Sequence, residues 1–322
     1  KALKNKCDYV IVEMTSQGVK QFRHKFIALD ALIFTNLAPE HIESHGSYEK
    51  YKQAKLEIAK ALSKSKKRPR TLVVNKDDKE AEDFLSVPVD RALTYSLIDA
   101  EPYKTGEQGI EFTFDNETIS SPLLGQFNIY NILAAATLAK NYGVPTSAIK
   151  NAAKSLASIR GRMEKINLPA GGGQNFQVIV DYAHTPDSLE QAYKALVGRK
   201  LICVLGNTGG GRDKWKRRVM GEIADNHCAA IILTNEDPYD EDPVKIVEEM
   251  KEGIKKTLCK IIIDRRKAIR KAIALGRESG EKCVVIITGK GTDPYIMGPN
   301  NTKIPWNDRA VAEEELAKFG KF

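Results

Sequence analysis

The chain has 322 residues, a formal net charge of +8 at pH 7 and a hydrophobic content of 42%. This length suffices for two domains of ordinary size, and the composition excludes a disordered or fibrous chain. No apolar run approaches the roughly 18 residues of a membrane-spanning helix, and the N-terminus lacks the apolar core of a signal peptide. The lack of a long apolar run predicts no membrane insertion. The basic segment 64–70 has no interleaved aromatic residues, so we expect no nucleic-acid binding.

The five cysteines are scattered and form no Cys-x-x-Cys pair. This pattern predicts neither a disulfide framework nor a zinc site. It fits a protein of the reducing cytoplasm.

The first part of the chain contains short apolar runs that are typical of buried strands. Residues 9–14 form one run and residues 31–34 form another. Ligands gather at the carboxyl ends of parallel strands, so Glu13, at the end of the first run, is a candidate acidic ligand. Taken alone, a terminal glutamate is more often only the exit of a strand to solvent.

A polar loop with His41 and His45 leads into a helix that carries a lysine on its apolar face. Lys55 follows Tyr51 by four residues and precedes Ile58 by three, so these side chains share one face. Burial disfavours the charged amine and lowers its pKa, and a neutral amine can add carbon dioxide to form a carbamate. Carbamate oxygens suit Mg²⁺. The alternative is a lysine whose stem covers apolar surface while its amine reaches water.

A helix is predicted over residues 125–140 because this segment is rich in alanine and leucine. It follows a strand predicted over 71–75 and short β segments predicted over 90–120. Asn128 and Asn131 lie three residues apart on this helix and therefore share a face. The alternative is a helix cap and a chance polar residue.

We place the domain boundary near residue 159, where a further short helix is predicted to end, with one domain over 1–158 and the other over 159–322. In the second domain, apolar runs alternate with helical stretches, which predicts a parallel sheet with helices on both faces. The runs lie at 178–180, 201–205, 230–234, 261–263 and 284–288. Nearly every run leads into a polar cluster. One cluster, 206–214, is a glycine-rich turn that can hold an anion, although a glycine cluster alone is weak evidence.

These stretches together resemble the Mur ligases, the ATP-dependent enzymes that form the amide bonds of peptidoglycan. The motifs occur in the family's order and spacing over nearly the whole chain. They are Asn36-Leu37, Glu40-His41, Tyr51, Ala54-Lys55, Asn128 with Asn131, Gly161-Arg162, and the segments 181–187, 206–214, 289–293 and 304–309. The resemblance implies an α/β fold, with a truncated Mur ligase central ATPase domain and a C-terminal Rossmann-like domain that has a mainly parallel sheet.

The resemblance also implies roles for individual residues. Mg²⁺ would be bound by Glu13, His41 and a carbamylated Lys55. Catalysis would use His41, Lys55 and Arg162. ATP would lie near Asn128, Asn131, Arg162, Asp181 and His184. The UDP-N-acetylmuramoyl dipeptide would contact Thr15, Gln21 and Arg23. The free amino acid would contact Arg212, Asp237, Tyr239, Gly289 and Asp293.

The implied reaction adds the third amino acid to UDP-N-acetylmuramoyl-L-alanyl-D-glutamate through an acyl phosphate. It would take place in the cytoplasm, as a step of cell-wall synthesis on which cell shape and division depend. The family's P-loop does not occur in the chain, so we expect a truncated protein that does not use ATP by itself. The alternatives are a ligase like folylpolyglutamate synthetase and a non-catalytic fragment that only binds substrate. A dinucleotide-binding oxidoreductase is disfavoured, because no G-x-G-x-x-G follows a predicted strand.

The segment after the third strand of the second domain bears on which amino acid is added. Family members that use meso-diaminopimelate have an arginine where this chain has Tyr239 and an asparagine where it has Asp237. That arginine binds the distal carboxylate. An acidic pocket without it attracts a distal ammonium, so we predict L-lysine or a similar diamino acid. Residues 240–242 are interpreted as solvated acids at the start of a helix.

Overall fold

The structure, a computed structural model, describes residues 4–40, 42–167 and 174–319. The backbone divides into two compact units. The first consists of residues 1–98 and 133–143, and the second of residues 99–132 and 144–322. These limits follow the compactness of the backbone, and the domain boundary expected near residue 159 stays a prediction.

A parallel sheet lies at the centre of the first unit. Its described strands, in spatial order, are β1 (Ala31–Phe34), β2 (Thr71–Asn75) and β3 (Arg91–Tyr95). The helices of this unit include α1 (Ser16–Lys20), α2 (Ile42–His45), α3 (Tyr48–Ser63) and α4 (Ala81–Leu85). The apolar face of α3 packs against the sheet, so that Leu62 of the helix and Leu72 of β2 are fully buried in one cluster. The strands predicted over 31–34 and 71–75 are confirmed.

The run 9–14, predicted as a buried strand, is not a strand in the structure. Its apolar side chains point to solvent, and Ile11 is 98% exposed. An apolar run becomes a buried strand only where a neighbouring strand accepts its hydrogen bonds and other layers cover it. The part of the first unit that the structure describes supplies neither, so this prediction was wrong. Glu13 therefore does not lie at a strand end.

An antiparallel sheet begins the second unit. Its described strands, in spatial order, are β4 (Lys104–Gly106), β5 (Gly109–Phe114) and β6 (Glu117–Ser121), and β4 follows a 3₁₀ helix at Leu97–Ala100. Helices α5 (Phe127–Asn141) and α6 (Thr146–Ser155) come next along the chain. They confirm the helix predicted over 125–140 and the presence of the short helix after it, although α6 ends at Ser155 and not near residue 159 as predicted.

A larger sheet of the second unit carries most residues of the candidate site. Its described strands, in spatial order, are β11 (Leu258–Ile261), β10 (Ala230–Leu233), β9 (Lys200–Leu205), β12 (Cys283–Ile287), β8 (Gln177–Val180) and β7 (Glu164–Ile166). Strand β7 pairs antiparallel at the edge, and the others pair in parallel. The strands predicted from the apolar runs are present, but β11 runs over Leu258–Ile261 and overlaps the strand predicted at 261–263 only at residue 261.

Helices cover both faces of this sheet. One face is covered by α7 (Pro186–Lys194), α8 (Trp215–His227) and α9 (Pro243–Lys251). The opposite face is covered by α10 (Arg265–Ser279) and α11 (Asp308–Phe319). Along β12, Val284 and Ile286 belong to the first core, whereas Val285 and Ile287 belong to the second. This alternation is that of a strand buried on both faces, and it confirms the predicted α/β fold with a mainly parallel sheet.

The chain between β12 and α11 forms a hairpin. Its strands are β13 (Tyr295–Met297) and β14 (Lys303–Pro305), joined through a 3₁₀ helix at Pro299–Asn301. The glycine-rich segment 170–173, predicted as a turn between strands, lies outside the described residues. Of the helices that the structure describes, none is both long enough and apolar enough to cross a membrane.

Cys203 on β9 and Cys228, directly after α8, form a disulfide. The scattered cysteines predicted no disulfide, and this prediction was wrong. The crossover through α8 returns the chain towards the strand it left, so two residues 25 positions apart in sequence become neighbours in space. Cysteine spacing alone does not reveal such a pair.

Candidate functional site

In the first unit, α3 places Lys55 on the apolar face predicted for it. Tyr51 and Ile58, one turn away on either side, are each 6% exposed, and Lys55 is half-buried. Burial lowers the pKa of the Lys55 amine, while the carboxylates of Glu40 and Glu13 act in the opposite direction. The amine therefore lies against apolar side chains and within electrostatic reach of two acids.

The predicted Mg²⁺ ligands are Glu13, His41 and Lys55, and His41 lies outside the described residues. Among the residues on either side of that gap, and in the rest of the described chain, no three His, Cys, Asp or Glu side chains form a metal-binding group. The donor set is nevertheless chemically suitable. Glu13 and Glu40 both act on Lys55, and carbamylation of that amine would add oxygen ligands of the kind that Mg²⁺ prefers.

The residues predicted to contact the UDP substrate lie in or beside α1. The hydroxyl of Thr15 caps this helix, since it accepts the Gly18 N–H at 3.0 Å. Gln21 and Arg23 follow with exposed side chains. Thr15 thus has a local structural role that the resemblance did not imply, and the substrate role of all three residues stays a prediction.

Three residues predicted to lie near ATP form hydrogen bonds within the second unit. Asp181, directly after β8, accepts the backbone N–H groups of Met163 and Ala183, each at 2.7 Å. Burial raises the pKa of the Asp181 carboxyl. The Asn131 amide donates to Asn128 Oδ1 at 3.1 Å, so these two side chains share a face of α5 as predicted. Their contacts with a nucleotide stay a prediction.

Arg162 and His184, also predicted near ATP, both contact Tyr182. The exposed guanidinium of Arg162 lies over the Tyr182 ring, 4.5 Å from its centroid. His184 Nδ1 donates to the Tyr182 carbonyl at 2.9 Å. The Tyr182 hydroxyl lies 3.5 Å from Asp293 Oδ2, and burial together with this acid raises the pKa of Tyr182 to about 12. Tyr182 therefore connects Arg162 to the pocket that Tyr182 and Asp293 line.

This pocket opens at the carboxyl ends of β8, β9, β10 and β12. Its lining includes the whole set predicted to contact the amino acid: Arg212, Asp237, Tyr239, Gly289 and Asp293. The segments after neighbouring parallel strands meet at one edge of the sheet, which explains why distant motifs come together here.

The pocket also holds a cation, Lys290, for which the sequence motifs implied no role. The Lys290 side chain is 1% exposed, and its amine lies 2.9 and 2.8 Å from the two carboxylate oxygens of Asp237 and 3.1 Å from Asp293 Oδ2. Asp237 Oδ1 also accepts the Met297 N–H at 2.8 Å. The sequence predicted an acidic pocket around Asp237, whereas in the structure this carboxylate is paired with the Lys290 amine and the Met297 N–H. The lysine stands within a recognised motif, but only the folded structure reveals its partners.

Two other charged side chains of the pocket have polar atoms without a partner among the described residues. Glu236 is 3% exposed and its Oε1 accepts the Thr208 hydroxyl at 2.8 Å. Its Oε2 is buried and has no hydrogen-bond partner among the described residues. Arg212 is exposed on the glycine-rich turn, and none of the ion pairs described within residues 174–319 involves it. The pocket lining therefore includes one buried carboxylate oxygen without a hydrogen-bond partner among the described residues and one exposed guanidinium.

Two family models match the chain. The model described as "Mur ligase middle domain" matches residues 1–139, and the model described as "Mur ligase, glutamate ligase domain" matches residues 161–291. The chain belongs to the Mur ligase family. The resemblance drawn from the sequence motifs is thereby confirmed.

Curated relatives of this Mur ligase chain extend beyond it. The UDP-N-acetylmuramoyl-L-alanyl-D-glutamate--2,6-diaminopimelate ligase of Caldanaerobacter subterraneus is 35% identical, over 97% of this chain and 64% of its own length. The UDP-N-acetylmuramyl-tripeptide synthetase of a Roseiflexus species is 33% identical, over 98% of this chain and 65% of its own length. The chain thus spans slightly less than two thirds of the length of these relatives.

A solved structure of a UDP-N-acetylmuramoyl-L-alanyl-D-glutamate--2,6-diaminopimelate ligase is also similar. It is 29% identical with a TM-score of 0.57, over 95% of this chain and 64% of that chain. The similarity in sequence and the similarity in fold both agree with membership of the Mur ligase family.

Proposed function

We propose that this chain supplies the central and C-terminal domains of an ATP-dependent ligase that adds the third amino acid to UDP-N-acetylmuramoyl-L-alanyl-D-glutamate in peptidoglycan synthesis. The observation that carries the proposal is the pocket of the second unit, where the whole predicted amino-acid set lies together. The names of the relatives agree, since one is a ligase of this UDP-linked dipeptide. The cytoplasm, where ATP and UDP-linked precursors are present, is the proposed location.

The chemistry we propose relies on positioning and charge neutralisation more than on covalent catalysis. ATP would activate the carboxylate of the dipeptide as an acyl phosphate, which the amine of the incoming amino acid attacks. Arg212, exposed and unpaired in the described chain, would bind the carboxylate of that amino acid. Glu13 and a carbamylated Lys55 would hold Mg²⁺ in the first unit, together with His41. Arg162 would bind phosphate oxygens, since its guanidinium is exposed.

We propose further that the amino acid is L-lysine, or a similar diamino acid without a distal carboxylate. With His184 counted as neutral, the charged lining residues are Glu236, Asp237, Asp293, Arg212 and Lys290, which leaves one negative charge. L-lysine carries one positive charge, whereas meso-diaminopimelate is neutral overall. A distal carboxylate would find no cation at Tyr239, and an unpaired charge of this kind costs about 1–3 kcal/mol or more.

The free Oε2 of Glu236 is the acceptor we propose for an ammonium group of the ligand. It is buried and has no other described donor, so a hydrogen bond from a charged donor would be worth about 1.5–3 kcal/mol. The relative from Caldanaerobacter carries 2,6-diaminopimelate in its name. The amino acid is therefore the point at which we propose that this chain differs from that relative.

Phosphate release tests both levels of the proposal, using the longest natural form of the protein with ATP, Mg²⁺ and the UDP-linked dipeptide. We expect release that depends on the amino acid, with kcat/KM for L-lysine at least about tenfold above that for meso-diaminopimelate, which corresponds to about 1.4 kcal/mol. A higher value for meso-diaminopimelate would overturn the amino-acid assignment. Release that requires a folate and L-glutamate would favour the folylpolyglutamate alternative, and no release with any amino acid would favour a binding fragment.

A pair of variants tests why the preference arises. Tyr239→Arg should raise kcat/KM for meso-diaminopimelate, because it supplies the distal cation, whereas Tyr239→Phe should leave the preference unchanged. Equal kinetics for the two variants would show that the pocket is built differently.

A further inference from the structure

The first residue of α10, Arg265, is a charged side chain that is almost fully buried. It is 2% exposed, and it lies between the sheet and α11, whose first residue, Asp308, is fully buried as well. The motif 304–309 at the end of the chain contains this aspartate, and the proposed reaction assigns it no role. A buried guanidinium is costly unless its donors are paired, so its hydrogen bonds indicate what it does.

The guanidinium of Arg265 forms a bidentate ion pair with the carboxylate of Asp308, which we call the fork. Nε donates to Asp308 Oδ1 at 2.8 Å, and Nη2 donates to Asp308 Oδ2 at 2.7 Å. The Trp306 indole N–H also donates to Asp308 Oδ1, at 2.7 Å. This planar geometry fixes the orientation of the guanidinium.

The remaining donors of Arg265 reach the ends of two strands. Nη1 donates to the Asn235 carbonyl at 3.1 Å, beyond the end of β10. Nη2 donates to the Thr288 carbonyl at 2.8 Å, directly after β12. The next residues along the chain are Glu236 and Gly289, and both line the pocket. One side chain therefore joins the two backbone segments that carry Glu236 and Gly289 into the pocket lining.

Stability alone does not account for this arrangement. Replacing a buried ion pair by apolar side chains of similar volume is often neutral or stabilising. An apolar pair would fill the same space, but it would leave the two carbonyl groups without donors and would not fix the spacing of the strand ends.

We propose that Arg265 is a positioning residue that sets the distance between the two backbone segments beyond β10 and β12, and that Asp308 holds it in place. The consequence for the amino acid rests on the proposed function, whereas the consequence for the backbone does not. Loss of the fork should loosen the segments 235–239 and 288–291 and weaken amino-acid binding without unfolding the unit.

The variant Arg265→Lys keeps the charge but cannot form the fork and reach both carbonyls. Arg266→Lys is the matched control, because Arg266 is adjacent on α10 and its ion pairs among the described residues are all with side chains of α11, at 2.6 Å from Glu314 and 3.0 Å from Glu315. The first measurement is amide hydrogen exchange of the two segments. We expect exchange at least about tenfold faster in Arg265→Lys, a change within the range of local opening, and wild-type exchange in Arg266→Lys.

The second measurement is binding of L-lysine by calorimetry and, for the longest natural form, the steady-state kinetics. Arg265→Lys should raise the Kd and the KM for the amino acid about tenfold, while the KM for the UDP-linked dipeptide changes less than about twofold. A general loss of folding would affect both KM values. If Arg265→Lys does not fold, Asp308→Asn serves in its place, and we expect faster exchange in the same two segments.

The outcomes separate the two proposals. Exchange that stays at the wild-type rate in the variant overturns the positioning role, whatever the binding result. Faster exchange together with weaker amino-acid binding supports it. If the wild-type protein binds no amino acid, the proposed function fails, and the exchange measurement still decides the role of Arg265. Equal acceleration in Arg266→Lys would show a general effect of α10 and would overturn the assignment.

Discussion

Replacing Lys290 by methionine should destabilise the second unit, because it leaves a buried carboxylate without its cation. The Lys290 side chain is 1% exposed and that of Asp237 12% exposed. Removing one partner of such a pair typically costs about 3–5 kcal/mol. Asp237 keeps the Met297 N–H, and the Asp293 side chain is 39% exposed and can be rehydrated. We therefore expect the lower end of the range, about 3 kcal/mol.

Urea unfolding followed by tryptophan fluorescence measures this loss selectively. Both tryptophans of the chain, Trp215 and Trp306, belong to the second unit. At a slope of about 2 kcal/mol per M, a loss of about 3 kcal/mol lowers the urea midpoint by about 1.5 M. The double variant with Asp237→Asn should recover at least half of the loss, because the buried uncompensated charge is gone. A single variant within about 0.5 kcal/mol of wild type, as for an ordinary surface substitution, would refute the reasoning.

Three further predictions follow from local geometry. Isotopically labelled bicarbonate should give a carbamate signal in carbon NMR that Lys55→Met removes, since burial favours the neutral amine; a signal that survives contradicts the assignment. Gly289→Ala should lower the urea midpoint more than Gly198→Ala. The backbone angle φ is positive at both positions, so both substitutions introduce strain, but only at 289 would the new Cβ lie 2.2 Å from a carboxylate oxygen of Glu236. Hydrogen bonds led by that from Arg270 lower the pKa of Glu315 to about 2. Its contribution to the free energy of unfolding is therefore present above the unfolded value of 4.5 and lost as the pH falls from there towards about 2, and Glu315→Gln should flatten that part of an acid titration.

The sequence was sufficient for the sheet of the second unit. Its strands are short apolar runs bounded by polar clusters. Their short length and their alternation with helical segments are typical of strands buried on both faces of a parallel sheet. The pocket followed from the same logic, because the ends of parallel strands must meet at one edge. Arg212, Asp237 and Gly289 come from three separate motifs and nevertheless line one pocket.

The failures share a different cause, since each depends on a partner that is distant in sequence. Residues 9–12 are all apolar, like those of β12, but the sequence of an apolar run does not reveal which strand will pair with it. Arg265 and Asp308 are 43 residues apart and Lys290 and Asp237 are 53 residues apart. Composition and spacing identify charged residues near a site, but only the fold decides which charges neutralise each other.

The pairing of Lys290 with Asp237 changes the physical basis of the predicted amino-acid preference without reversing its direction. Relative to the motif of the diaminopimelate enzymes, this chain has tyrosine for arginine at 239 and aspartate for asparagine at 237. Each difference lowers the charge of the pocket by one. Lys290 neutralises Asp237 directly, but in doing so it is no longer available to attract a ligand carboxylate, as it would be beside a neutral asparagine. The total charge is therefore the same whichever acid holds the lysine. Glu236 Oε2, buried and without a hydrogen-bond partner among the described residues, is the atom at which we propose that the remaining negative charge meets the ligand.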